Sequence, residues 1–540
     1  MRTHYAGGFG SRRGGLMVAT LVSIFLAGSL PAQVNTVTLD SPSDLILVRV
    51  MVLAGSAQDP AGLEGLAAMT AQLLLEGSFG DAANPVTKEM VADITRPWGG
   101  GATPRVLVEK ETSTFKFTVP RDVFDTYLNK VLTPLFNLPL FSQKELDRLR
   151  QERQLYIESS LRLESTEQLG LWATDLAIHA GTPYGHIPTG TIDGLGKITR
   201  KDVQRFYKSY YHRKNFSLAL STSEKDLVKS VKAGLKRMGK KVKAKKFKRP
   251  PFEAARTLRG RDLLIISQPT TIATGIHAGF PIDVDRNHPD YWPLYVANIS
   301  LGTHRDGFGR LYYEIRQTRG YNYGNYSYME WFYNRPFNLF PPTNTPRKQH
   351  YFNLWIRPVG HEYVHHLTKA MTWELNRFIQ EGLTEEEVSA AKNKARILYL
   401  SLAETAGRLL DYKLDDAFYG MQDGYLDQYL KAVEAVTTEQ VNAAITRHLQ
   451  VENMRYVIVT SEEWADRLAA DIISGENATG KSMAAYNFEA LESDGGVQYV
   501  VPDGKQPMLD KDALWEAYPL NLSADRVRVI KSTALFQSVQ

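Results

Sequence analysis

The order of hydrophobic patterns between Leu45 and Ser221 returns between Leu263 and Thr460, and this repetition limits the chain more than any single motif does. In the first half a β-rich run (Leu45 to Leu53) is followed by an amphipathic helix (Leu63 to Leu75), an alternating strand (Thr112 to Val119) and another helix (Val123 to Leu135). Long helical patterns cover Gln143 to Leu163 and Ser165 to His179. After a loop at Gly181 to Gly185, a helix from Arg200 to Tyr210 leads into the strand Phe216 to Ser221. The second half has strands near Leu263 to Ile266 and Thr274 to His277, helices at Tyr291 to Leu301 and Leu311 to Thr318, and strands at Tyr321 to Met329 and Tyr351 to Arg357. Helices at Tyr363 to Glu381, Thr384 to Thr405 and Thr438 to His448 precede a last strand, Met454 to Thr460. Strands and helices mixed in this way, twice over, predict an α+β chain of two homologous domains, each a mainly antiparallel sheet packed with helices.

The domains are placed at 33–235 and 259–480. Between them, at 236–258, lies a basic linker. Ten Lys or Arg residues fall between Lys232 and Arg249, just before Pro250-Pro251. A nucleic-acid or anionic-membrane surface is the competing reading of that run, but a solvated helix end running into a linker fits the proline pair better. The net charge of +5 over 540 residues gives no reason to expect nucleic acid. The tail, 481–540, reads as irregular with one helix near Asp510 to Glu516.

Residues 1–32 have the three parts of an export signal: Arg2, Arg12 and Arg13, an apolar run from Leu16 to Leu30, and Leu30-Pro31-Ala32 before Gln33. The run falls short of the roughly 20 residues a bilayer span needs, so a retained anchor is the weaker reading. An exported chain, periplasmic or extracellular, with no integral span after cleavage is expected. The sequence has no cysteine, which excludes disulfides, thiolate nucleophiles and Cys-ligated metals. A metal here would need His, Asp or Glu.

From about residue 40 to 460 the chain resembles the pitrilysin/insulinase zinc metallopeptidases, in the branch of processing-peptidase-like two-domain chains. Val52-Leu53-Ala54-Gly55-Ser56 and Gly65-Leu66-Ala67 resemble the strand and helix start that precede the family's H-x-x-E-H motif. At that motif this chain reads Ala68-Met69-Thr70-Ala71-Gln72. Ala68 and Gln72 replace both histidines and Ala71 replaces the glutamate base. Two imidazoles one turn apart hold Zn²⁺ and a carboxylate activates its water, and neither alanine nor a neutral amide can do this. The family's third ligand is a Glu a few residues beyond a Glu-Arg pair. Counting from Glu152-Arg153, that position falls on Ser159, with Glu158 one residue out of register. On the edge strand that pairs with substrate, Gly99-Gly100-Gly101-Ala102-Thr103-Pro104-Arg105 stands where the family has Gly-Gly leading to Asn-Ala, and a proline there lacks a ladder donor.

The second half keeps more. The segment from Asp306 to Tyr323 resembles the one holding the family's Arg and Tyr, which map to Arg316 and Tyr323. A guanidinium fork and a phenol are suitable donors to a substrate carbonyl and a developing oxyanion. The competing reading is a surface ion pair for Arg316 and a strand aromatic for Tyr323.

His361-Glu362-Tyr363-Val364-His365 fits H-E-x-x-H, with Glu385 downstream as a third ligand. Against it, Pro358-Val359-Gly360 puts His361 at a helix start, and Thr384 followed by Glu385, Glu386 and Glu387 reads as a cap and an acidic first turn.

The resemblance implies two domains closing around a chamber and a chain that is inactive alone. The leading expectation is a non-catalytic subunit of an exported heterodimeric zinc metallopeptidase, with no cofactor of its own. It would supply Arg316 and Tyr323 in trans to a zinc-bearing homologue acting on a peptide substrate. The alternatives are a structural subunit of a larger complex, membrane-associated or not, without proteolytic work, and an autonomous zinc peptidase using His361, His365 and Glu385.

Overall fold

Two sheets of identical connectivity carry the chain. In the first, strands β1 (Thr36–Thr38), β2 (Leu45–Val52), β3 (Arg105–Val108), β4 (Ser113–Pro120) and β5 (Phe216–Leu220) lie in the order β1-β5-β2-β4-β3. In the second, β6 (Asp262–Gln268), β7 (Thr274–Ile282), β8 (Asn325–Tyr328), β9 (His350–Val359) and β10 (Arg455–Ser461) take the matching order β6-β10-β7-β9-β8. The first strand of each half pairs parallel with the last, and every other contact within these five-strand sets is antiparallel. The computed structural model describes residues 36–98, 104–235, 238, 258–269, 271–332, 340–478, 490–493, 496–499 and 504–539. The expected export signal, Gly99 to Thr103 and all of the expected linker except residues 238 and 258 lie outside these. The described residues pack as one compact unit. Among the described residues no helix is long and apolar enough to cross a membrane.

Alternating burial explains the first sheet. Val48 sits opposite Phe117 and Val50 opposite Phe115, all with no exposed surface. Helix α1 (Leu66–Glu76) packs on that face through Leu73 and Leu74. Its N-terminus is set by Gly65, whose φ of 103° suits glycine; a Cβ there would also meet the Thr189 carbonyl at 2.9 Å. No side chain at position 65 can cap α1, and Asp59 does so from outside, accepting from the backbone N–H of Gly65 (2.8 Å) and Ala67 (2.7 Å).

Helix α2 (Gln143–Leu155) runs on without a break into π-helical turns over Tyr156–Glu164, and α3 (Thr166–His179) follows. In the second half, helices α4 (Val364–Glu381), α5 (Glu385–Leu402) and α6 (Ala406–Tyr419) lie between β9 and β10. Each half then lends a helix to the other. α3 packs on β7 and β10 of the second sheet, close enough that a Cβ on Gly170 would stand 2.4 Å from the His277 ring. In return α6 packs on the first sheet, where Asp411 binds Arg49 and Lys116, each at 2.8 Å. This exchange makes the halves one body.

Several elements differ from expectation. The strand expected over Tyr321 to Met329 begins at Asn325, because Asn322 turns inward to bond the Arg357 carbonyl (2.8 Å). The tail is more ordered than its composition suggests. Helix α7 (Gln506–Ala517) buries Trp515 completely, and a strand β11 (Val527–Lys531) adds to the second sheet parallel to β6. Beyond it, the Leu535 carbonyl accepts from Arg162 (2.7 Å), and the Phe536 carbonyl accepts from the Ile192 N–H (3.0 Å). The tail therefore spans both halves.

Candidate functional site

Helix α1, the end of α2, the outer edge of β3 and one face of α3 surround a pocket of about 910 Å³, walled entirely by residues of the first half. Ala68 and Gln72 face into it, one turn apart as the two metal-binding histidines would be. Ala71 has no exposed surface and belongs to the core beneath. The methyl of Ala68 has nothing to offer a cation. Gln72 is already committed: its amide donates to Glu76 Oε1 (2.7 Å) and its carbonyl oxygen accepts from Arg153.

Arg153 is the residue that linear reading passed over. It lies on α2, and its Nη2 donates to Gln72 and, at 3.5 Å, to the Ala68 carbonyl. A guanidinium thus bonds to the two positions that would carry the ligands of a metal. Burial lowers its pKa to about 10, which leaves it charged at neutral pH. Glu76, the nearby pocket acid, is held by Arg148 (2.7 Å) and Lys88 (3.1 Å). Burial pushes its carboxyl up, but the hydrogen bonds from Gln72, Arg148 and Lys88 outweigh that and bring it below its ordinary value.

Ser159 lies away from this pocket, its hydroxyl donating to the Leu155 carbonyl of its own helix (2.8 Å). Glu158 is exposed. The π-helical turns from Tyr156 change the angular phase that a 3.6-residue count assumes. The residues of this helix that reach the pocket are Arg153 and Tyr156, three apart. The signal for Arg153 was present in its spacing from Tyr156 on one helix face, but the Glu152-Arg153 pair served only as a landmark. Pro104 stands immediately before the first paired residue of β3, where a missing donor breaks no ladder bond.

In the second half, Arg316 sits in π-helical turns over Tyr312–Gln317 and is partly exposed. Tyr323 follows in the loop before β8 and is 80% exposed. No hydrogen bond or ion pair of either side chain is found among the described residues, and neither lines the pocket of the first half. β8 occupies in its sheet the place that β3 occupies in the first.

The H-E-x-x-H residues do not assemble. His361 lies in a 3₁₀ turn, with Nδ1 against Thr274 Oγ1 (2.8 Å) and its ring stacked on Trp464. His365 lies in α4 with only 2% of its surface exposed, and burial lowers its pKa to about 4. Glu385 is exposed in the first turn of α5, which a Thr384–Glu387 capping box starts. Among the described residues, the group close enough to hold a metal is His288, Asp290 and His448 instead. There Asp290 Oδ2 already accepts from Arg447 and meets His448 Nε2 at 2.7 Å, so cationic and imidazole donors satisfy it.

Comparison with known proteins fits this geometry. The model of the peptidase M16 inactive domain matches residues 197–395. An uncharacterized zinc protease of Streptomyces coelicolor is 24% identical over 305 residues, covering 55% of this chain and 62% of that protein. The match therefore spans less than two thirds of that relative. Among solved structures, the peptidase M16 inactive domain from Pseudomonas fluorescens superposes with a TM-score of 0.67 at 20% identity, covering 80% of this chain and 97% of that one. A chain of complex III2 from Candida albicans, determined with Inz-5 bound, gives 0.59 at 12% identity over 81% and 97%. At such identities the structural likeness establishes the fold alone.

Proposed function

We propose that the chain, similar to the M16 peptidases but without the residues that would hold a metal at the family site, acts as a non-catalytic subunit beside a zinc-bearing homologue. The observation that carries this reading is the Arg153 guanidinium bonded to Gln72 and the Ala68 carbonyl. A cation there repels a divalent metal, and no carboxylate base stands at position 71 to activate water.

In this reading Arg316 and Tyr323 are donated to the partner's zinc site. Their support is exposure and freedom: Tyr323 projects into solvent, and neither side chain has a hydrogen-bonding commitment among the described residues. The guanidinium would bind and orient the peptide, and the phenol would donate to the oxyanion as it forms. The pairing is heterodimeric, the substrate is a peptide, and the complex works outside the cytoplasm, consistent with the N-terminal signal pattern.

A structural role in a larger complex is the second reading, favoured by the likeness to a complex III chain and by the mutual helix exchange between the halves. Reconstitution separates them. The purified chain is mixed with an H-x-x-E-H homologue from the same organism, and peptide cleavage is measured for each alone and together. Activity that requires both supports the subunit reading; a homologue equally active alone leaves the structural one.

A further inference from the structure

We propose that a second cavity, shared by both halves and the tail, binds an unbranched fatty carboxylate with its chain inward and its head group at Arg528. The inference is independent of the subunit reading and needs no partner chain.

The cavity, of about 370 Å³, is enclosed by α3 of the first half, β6 and β10 of the second, and the tail on either side of β11. Its size lies at the lower end of the roughly 300–1,000 Å³ of small-molecule sites, which suits one short acyl chain. Ala173, Ile187, Leu263, Leu535 and Phe536, all buried, make the apolar part of the wall. Phe536 has a φ of 58°, uncommon for so bulky a residue. Its carbonyl accepts from the Ile192 N–H (3.0 Å), which ties this strained turn of the wall to the first half. Backbone strain of this kind persists where the surroundings impose it, and it recurs at ligand clamps.

Charge narrows the occupant. The lining holds three arginines, Arg455, Arg526 and Arg528, against two carboxylates, Asp262 and Asp525. Asp262 is shared by Arg455 and Arg526, each at 3.0 Å. Asp525 accepts from the Ser523 hydroxyl (2.6 Å) and stands 3.8 Å from Arg526. Both acids are therefore taken, and Arg528 has no ion pair among the described residues. Exposure rises from wall to rim: Leu535 shows 1% of its surface, whereas Asp525 and Arg528 are open to solvent. An apolar cavity with a surplus cation at its mouth matches a ligand that is apolar at one end and anionic at the other. A carboxylate head would meet Arg528 in a charge-assisted hydrogen bond, while a cationic head would meet only the surplus positive charge.

Titration calorimetry on the full chain tests this with butyrate, hexanoate, octanoate, neutral octanamide and acetyl-Leu-Leu bearing a free carboxylate. A fully buried methylene strengthens binding about fourfold, so octanoate should bind at least about fivefold tighter than hexanoate, and hexanoate tighter than butyrate. Octanoate should exceed octanamide by about threefold or more. Arg528→Gln, a change at an exposed residue, should remove that preference and leave octanamide binding as it was. Ala177→Leu, which adds bulk on the α3 wall of the cavity, should weaken every ligand, with melting curves confirming that both variants fold. No dependence on chain length, equal binding of octanoate and octanamide, or octanoate binding unchanged in Ala177→Leu would overturn the proposal. Tighter binding of acetyl-Leu-Leu than of octanoate would overturn the acyl chain as occupant in favour of a peptide end.

Discussion

Arg347, from the second half, and Asp175, on α3 of the first, meet at 2.8 Å with 1% and 0% of their side chains exposed. Lys110, also fully buried, reaches the other oxygen of Asp175 at 2.7 Å and donates to the carbonyls of Tyr184 and His186. Burial raises the Asp175 carboxyl, but the two cations outweigh it and hold its pKa at about 2. The Arg347 guanidinium lies 4.2 Å from the centre of the Trp331 ring. The helix exchange between halves therefore closes over a paired ionic cluster rather than over an apolar seam.

Removing one partner of such a pair leaves a buried charge short of its counter-ion. Arg347→Met is expected to cost about 3–5 kcal/mol of stability. Arg357→Met, which breaks a partly exposed pair with Glu167, should cost about 1 kcal/mol or less. Urea unfolding of the two variants measures both. A cost for Arg347→Met no larger than that for Arg357→Met would show that the cluster does not tie the halves.

Acid sensitivity should begin well above the carboxylate range. Burial holds His179 and His277 at pKa values of about 3 and His365 at about 4, against an ordinary value of 6.5. Between these limits the unfolded chain binds protons that the folded chain does not, so stability falls as pH drops below about 6.5 and the loss continues down to about 3–4. Each group contributes at most about 1.4 kcal/mol per pH unit. The low pKa of Asp175 adds a loss of the same sign only below about 4. Urea midpoints measured from pH 7 to pH 4.5 should fall steadily, and His365→Gln should make that fall shallower. Burial also raises Asp415 to about 7 and Asp416 to about 6, which opposes the fall over this range, so an unchanged slope in His365→Gln is the result that would mean this histidine is not held neutral.

Arg316→Ala and Tyr323→Phe should each lower kcat of the reconstituted pair by about 10²- to 10³-fold, the usual effect of losing a donor to an oxyanion. Tyr323 is largely solvent-exposed, so its variant should melt with the native protein. Gel filtration should show association unchanged. Full activity in both variants would leave the structural reading.

Cutting the chain after Leu522 keeps Trp515 in place but removes β11 from β6 and the Leu535 carbonyl from Arg162. The newly open edge of β6, with Leu263, Ile265 and Ile266 buried in the native chain, is an invitation to intermolecular pairing. The truncated chain is expected to melt lower and to oligomerise, which light scattering reads directly. An unchanged monomer with an unchanged melting temperature would show that the tail is dispensable.

Local pattern and repetition made the two sheets legible. β2, β7, β9 and β10 were readable because apolar residues crowd runs bounded by turn residues, and the missing ligands at Ala68 and Gln72 and the missing base at Ala71 needed only the identity of three residues. What pattern cannot show is which distant charges meet. Nothing in the local pattern marks Lys110, Asp175 and Arg347 as buried, and only the packing of the two halves brings them together inside. The tail strand was missed for a similar reason: five residues, Val-Arg-Val-Ile-Lys, carry little signal until β6, more than 250 residues earlier, offers an edge. The count along α2 that points to Ser159 runs through π turns from Tyr156 on, and it uses Arg153 only as a landmark.

The sharpest consequence of Arg153 concerns metal. The native chain should hold no stoichiometric zinc by elemental analysis, since the pocket offers a methyl, an amide and a cation. One equivalent lost in His361→Ala would instead establish the H-E-x-x-H site. Restoring imidazoles with Ala68→His and Gln72→His places two ligands one helical turn apart, the spacing zinc accepts. Arg153 then remains beside them, and repulsion between a guanidinium and a dication at contact distance is on the order of several kcal/mol even at an effective dielectric of about 20. The double variant should therefore bind zinc poorly, and adding Arg153→Ala should tighten binding by at least about 100-fold, read by competition with a chromogenic chelator. Equal affinity with and without Arg153 would mean that missing ligands alone, not the arginine, keep metal out.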